Sequence, residues 1–205
     1  MPVFYRKIEE SLVKLNYPFQ TPCLEVIPKA TKELYIFDNV GKRSYAVLHE
    51  HEVQQGEDYL IVKINSDAQF AFIAVDGCLI KGNNRKRCDA ALCWGNEVVL
   101  LDLKLNTGKE RLDQTKMSTP GIKTAMSFHD QMKSTINYFV DYLKISLDHY
   151  NIRLCIVFPS ATITTTMNAE LLGLESDIFN NFGINVTYRL IPDTPSQGLF
   201  PLLQL

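Results

Sequence analysis

Several features are missing from this chain, and each absence excludes something. No window approaches the roughly 18 consecutive apolar residues expected of a membrane span. The segment Met1 to Glu10 holds no apolar core of signal-peptide length. No membrane association is expected, and the protein is predicted to be cytoplasmic. The cysteines fit no zinc pattern: Cys23, Cys78, Cys88, Cys93 and Cys155 are five, an odd number, at spacings that match no metal motif. Free thiols in a reducing compartment are expected, most of them acting as small hydrophobes in apolar runs. Internal repeats are absent, as is any linker long enough to divide the chain. One domain over residues 1–205 is therefore expected, and its 46% hydrophobic residues suffice for a sizeable core without disulfide staples.

A strong excess of one charge is also lacking. The net charge of −2 argues against a generic nucleic-acid binder, but the distribution is uneven. Residues 81–133 hold ten Lys and Arg against six acids, a balance of +4, while the remainder carries −6. Positive charge is thus gathered in about a quarter of the chain, as a polyanionic partner requires. For any single residue in it, a solvated charged loop is the competing reading.

Residues 3–16 carry Phe4, Ile8, Leu12 and Leu15 at spacings of four, four and three, which predicts a helix that Pro18 bars from continuing. Segments near 24–27, 33–38, 43–49, 58–64 and 69–80 are rich in Val, Ile, Tyr and Phe and read as strands, with Gly77 bending the last. A long helix is predicted over 121–149, where Met132, Ile136, Phe139, Val140, Leu143 and Leu147 trace a core stripe. A buried strand at 152–158, a helix at 168–181 and a strand at 184–191 follow. The tail from Pro192 is expected to pack across the domain or to meet a partner.

The most informative stretch is 85–105. Gly95-Asn96 between apolar runs is a hairpin signal, since a tight turn of this length favours positive φ at both central positions. If the turn closes between Trp94 and Glu97, Cys93 faces Val98, Ala91 faces Leu100 and Asp89 faces Asp102. Facing residues stand about 4.5 to 5.5 Å apart at Cβ, so two carboxylates would lie side by side. Lys104, two residues beyond Asp102, falls on the same face. The run Val98-Val99-Leu100-Leu101 marks a strand buried on both sides, where charges are rare unless paired or bound to metal. Hard carboxylate oxygens favour a cation between Asp89 and Asp102; an ordinary Asp102–Lys104 ion pair is the alternative.

This arrangement resembles the PD-(D/E)XK nuclease superfamily, whose signature is an Asp on one core strand and (Asp/Glu)-x-Lys on the next. The match is Asp89, then Asp102-Leu103-Lys104. Asp stands at 102 where the superfamily more often has Glu, which shortens the reach by one methylene. The order of elements agrees with an α/β, restriction-endonuclease-like mixed sheet flanked by helices, an αβββαβ core, here with an antiparallel β-rich extension at 23–68. The resemblance covers roughly 1–16 and 69–190 and is topological outside the hairpin.

It implies Mg²⁺ or Mn²⁺ held by Asp89, Asp102 and the Leu103 carbonyl, with Lys104 orienting a water. It further implies a first-helix glutamate, here Glu9, in the metal shell, and a glutamine near the metal, here Gln131. In RecB-like members that glutamine is followed four residues on by Tyr, a position held here by Thr135. The implied activity is phosphodiester hydrolysis in DNA, by a homo-oligomer or a subunit of a complex, in settings such as prokaryotic defence or repair. Arg87 and the loop residues Lys109, Arg111 and Lys116 would lie along the phosphate backbone, the loop 106–120 being long enough to suggest function. The alternative is a non-catalytic nucleic-acid-binding or protein-interaction subunit that keeps the nuclease fold.

Overall fold

The computed structural model describes residues 1–17, 23–37, 45–48, 59–81, 87–103, 129–158, 165–192 and 202–205. Three helices and ten strands are described: α1 (Val3–Lys14), β1 (Leu24–Val26), β2 (Glu33–Phe37), β3 (Tyr45–Val47), β4 (Tyr59–Lys63), β5 (Phe70–Ala74), β6 (Ala90–Trp94), β7 (Glu97–Leu103), α2 (129–142), β8 (Asn151–Phe158), α3 (Thr165–Phe182), β9 (Val186–Pro192) and β10 (Leu202–Gln204). The fold is α/β. A six-stranded mixed sheet runs β1-β5-β6-β7-β8-β9, and a four-stranded sheet runs β10-β4-β2-β3. In the larger sheet β1, β5, β6 and β7 alternate in direction, whereas β7, β8 and β9 are parallel.

Strand alternation divides the larger sheet between two apolar layers. Ala91, Cys93, Val98, Leu100, Ile152, Leu154 and Ile156 meet the helices through Phe4, Ile8, Leu12, Met132, Ile136, Leu174 and Ile178. Phe70, Phe72, Ala90, Leu92, Val99, Leu101, Leu103 and Val157 meet the small sheet through Leu34, Ile36, Leu60 and Val62. β7 is covered on both sides, which is why its sequence reads as an unbroken apolar run up to Asp102. The β-rich segment expected before the hairpin thus supplies the second cover of the sheet. Within the helical layer, Phe4 meets Phe139 and Tyr150 edge-on, with ring centroids 5.2 and 5.1 Å apart.

The structure departs from the sequence reading at the end of α2, after β5 and in the hairpin turn. α2 ends at Tyr142 rather than 149, because its last turn widens into a π-turn over Tyr138–Tyr142, closed by the Leu143 amide on the Tyr138 carbonyl at 3.0 Å. Lys144 then takes φ of +56°, which ends the helix. The start expected at 121 lies outside the described residues. The strand expected over 69–80 stops at Ala74, and 75–80 turns back, with Gly77 at φ +69°. The tail adds a strand to the small sheet, β10 pairing parallel to β4. The Gly95-Asn96 turn uses positive φ at Gly95 alone (+48°), the pattern of a turn with glycine in its first central position.

The expectation of free thiols fails for two of the five cysteines: Cys23 and Cys78 form a disulfide, with Cα atoms 5.4 Å apart. Their separation of 55 residues belongs to no motif, and only the antiparallel pairing of β1 with β5, Leu24 opposite Ile73, brings them together. Cys88, Cys93 and Cys155 are buried and outside any disulfide. Among the described residues, no helix is long and apolar enough to cross a membrane.

Asp177 on α3 ties that helix to α2. Its carboxylate accepts from Lys133 Nζ at 2.7 Å and lies 3.1 Å from His129 Nε2, and Asn181 donates to its other oxygen at 2.8 Å. The Lys133 hydrogen bond, with the Lys133 charge and His129, holds the Asp177 carboxyl below its ordinary value. A lowered carboxyl pKa stabilises the fold fully above the unfolded value, near 3.9, and the contribution drains away as pH falls through the lower folded value. Because the Asp177 side chain is one third exposed (33%), the expected cost of Asp177→Asn at neutral pH is below about 1 kcal/mol. Urea denaturation should show that difference at pH 7 and its disappearance at pH values well below the ordinary carboxyl range.

Candidate functional site

The hairpin closes as its sequence predicts. Trp94 pairs with Glu97, Cys93 with Val98, Leu92 with Val99, Ala91 with Leu100 and Ala90 with Leu101. The ladder stops there, one residue short of the expected Asp89–Asp102 pairing. Asp89 sends its N–H to the Leu101 carbonyl at 2.9 Å, and its own carbonyl is taken by the amides of Val75 and Asp76 at 3.0 and 3.1 Å. Its carboxylate accepts the Leu103 N–H through Oδ2. The Asp89 carboxylate therefore rests against the peptide that joins Asp102 to Leu103.

Asp102 is fully buried and Asp89 nearly so, 0% and 6% exposed. Alternation along β7 sends Asp102 to the helical side, with Val98 and Leu100, and its partner in the parallel ladder is Ile156, a residue of the same layer. The pair sits where β7 ends, at the carboxyl end of the parallel strands, the edge at which open α/β sheets place their ligands.

A residue named in the sequence only as a departure from the RecB-like pattern fixes this corner. Thr135 on α2 is fully buried; its hydroxyl accepts the Cys88 N–H at 2.9 Å and donates to the Gln131 carbonyl at 2.8 Å. It therefore moors the segment entering Asp89 to the helix. The signal was present, since a threonine one turn beyond Met132 and beside Ile136 stands in the core stripe, where a hydroxyl needs partners. Beside it, burial pushes the Cys88 thiol well above its usual value; its hydrogen bond with Thr135 acts the other way, and the carboxylates of Asp89, Asp102 and Asp76 add to the rise.

The other expected site residues are placed as follows. Arg87 turns inward, its Nε on the Asp76 carboxylate and its side chain only 10% exposed. Gln131 is half-buried on α2, one turn before Thr135. Glu9 is half-buried on α1, where its charge adds to the effect of burial in raising the Tyr5 pKa, with Cys93 contributing less. Cys93, pushed up to about 12 by burial against an opposing hydrogen bond from the Tyr5 backbone, lies toward the hairpin end of β6, away from Asp89. Among the described residues, no three His, Cys, Asp or Glu side chains stand close enough to hold one metal ion. Lys104, Lys109, Arg111 and Lys116, with the loop 106–120, lie outside the described residues.

Comparison with protein-family models, with curated proteins and with solved structures gave no match. The reading of the site therefore rests on its own geometry.

Thr135→Val keeps the shape of the side chain but strands the buried Cys88 amide, at an expected cost of about 1 to 3 kcal/mol. Thr135→Ser retains the hydroxyl and should recover most of that loss. Chemical denaturation of the two variants checks the assignment, and equal stability of the Val variant and the wild type would remove it.

Proposed function

We propose that this chain is a divalent-metal-dependent nuclease of the PD-(D/E)XK kind, hydrolysing phosphodiester bonds, with DNA the favoured substrate. The observation that carries the reading is the convergence of Asp89 and Asp102 at the carboxyl end of a doubly covered strand, with Lys104 the next residue but one. The order of elements supports it: α1, the antiparallel β5-β6-β7, α2 and then parallel β8 follow the αβββαβ core of that superfamily.

The donor set fits a hard cation, because the carboxylates of Asp89 and Asp102 and the carbonyl of Leu103 offer only oxygen, as Mg²⁺ or Mn²⁺ requires. A bound ion of this class lowers the pKa of water and polarises a phosphoryl oxygen. The protein's own part is positioning and electrostatics. Asp89, held by the Leu103 amide and by Val75 and Asp76, presents a fixed carboxylate. Lys104 orients the attacking water and stabilises negative charge gathering on the phosphoryl oxygens. The basic residues Lys109, Arg111 and Lys116, which follow β7 in the sequence, attract the polyanion. Arg87 contributes less than its charge suggests, since Asp76 neutralises it.

One observation favours a second reading, a non-catalytic nucleic-acid-binding or interaction subunit. The Asp89–Leu103 and Arg87–Asp76 contacts hold this corner of the fold together and serve such a subunit equally well.

Titration with Mg²⁺ and Mn²⁺ on plasmid and single-stranded DNA separates the two. Asp102→Ala and Lys104→Ala should each lower metal-dependent cleavage by about 10²-fold or more. Cleavage unchanged in both variants removes the nuclease assignment from this site, and tight DNA binding by a wild type that never cleaves supports the subunit.

A further inference from the structure

We propose that the Cys23–Cys78 disulfide is a redox control on the acid pair, the oxidised form being the one that holds a divalent cation; the proposal rests on the metal reading of Asp89 and Asp102 given above. The cross-link joins the residue before β1 to the turn at 75–80. That turn fixes Asp89. Its Val75 and Asp76 amides hold the Asp89 carbonyl, and its Asp76 carboxylate holds Arg87, two residues before Asp89. From Asp89 the connection continues through its carboxylate to the Leu103 amide, beside Asp102. A covalent bond at one edge of the sheet is thus linked to Asp89 through the backbone of the turn and its hydrogen bonds to the Asp89 carbonyl.

The turn has other ties, within itself and to α2. The Leu79 amide reaches the Ala74 carbonyl at 3.1 Å and the Ile80 amide the Val75 carbonyl at 2.9 Å, and Tyr138 donates to the Leu79 carbonyl at 3.3 Å. β1 itself is three residues long and lies at the edge of its sheet. Reduction removes the covalent tie between the residue before β1 and the turn and leaves hydrogen bonds and packing to hold it. Three further cysteines do not compete in the exchange, since Cys88, Cys93 and Cys155 are buried.

The reductant is a dithiol. Its thiolate attacks one sulfur of the Cys23–Cys78 bond, which breaks, and the departing sulfur takes up a proton. The second thiol of the reductant then resolves the mixed disulfide. In balance, Cys23 and Cys78 gain two electrons and two protons, and the dithiol loses both and closes its own disulfide. Cys23 and Cys78 are 5% and 2% exposed, so exchange proceeds through local opening of the turn.

The test compares the full chain oxidised with the same protein reduced by dithiothreitol and then freed of it, reading Mn²⁺ affinity and hydrogen exchange at the Val75, Asp76 and Leu103 amides. Reduction should weaken Mn²⁺ binding by about tenfold or more, the usual effect of loosening what supports a metal ligand, and should speed exchange at all three amides. Cys23→Ser combined with Cys78→Ser should reproduce the reduced behaviour and ignore the reductant. Equal Mn²⁺ affinity in the two states, with binding lost in Asp102→Ala, overturns this proposal alone, even if reduction lowers thermal stability. An oxidised protein that binds no Mn²⁺ overturns the metal reading of the acid pair, and this proposal with it.

Discussion

A carboxylate standing in for backbone is the contact on which this corner of the molecule depends. β6 stops pairing with β7 at Ala90, yet β7 runs on for two more residues with both faces covered. An amide left unbonded there would cost as much as a lost buried hydrogen bond. Asp89 meets the requirement with its side chain, accepting the Leu103 N–H. The same contact that completes the sheet sets one acid beside another. Structural need and chemical opportunity coincide in a single group, and the buried setting raises the electrostatic stakes of both.

The surroundings of that contact come from distant parts of the chain. Thr135 arrives from α2 and grips the amide just before Asp89, while the turn after β5 grips the carbonyl of Asp89 itself. One comes from the helical layer and the other from the neighbouring strand, so the segment is held from two directions. Positioning of this kind, on elements whose own rotamers are locked by packing, is what a preorganised site requires.

How much of this was legible in the letters follows from the range of the forces involved. The α1 stripe, the Gly95 turn and the doubly buried β7 are local patterns of period and turn chemistry, and they stood in the sequence in nearly their final bounds. The approach of Asp89 to the end of β7 was legible too, because a short turn fixes register over the few residues that follow. The slip at Asp89 was not, since it depends on partners 13 and 46 or more residues away that only the folded chain supplies. The Cys23–Cys78 bond and the pairing of β10 with β4 were hidden for the same reason: pairings between remote segments leave no period behind. The π-turn at Tyr138–Tyr142 was hidden differently, since an apolar stripe continues through Leu143 and Leu147 while the backbone has already left the helix.

The small sheet carries a consequence for how the chain is made. β4 pairs with β2 early in the sequence, but its other edge waits for β10, which is synthesised after β9. Until then a nascent chain exposes one open strand border, a template on which foreign strands can add. β10 covers that edge of β4 from within the same chain, leaving β10 and β3 as the outer strands of the small sheet.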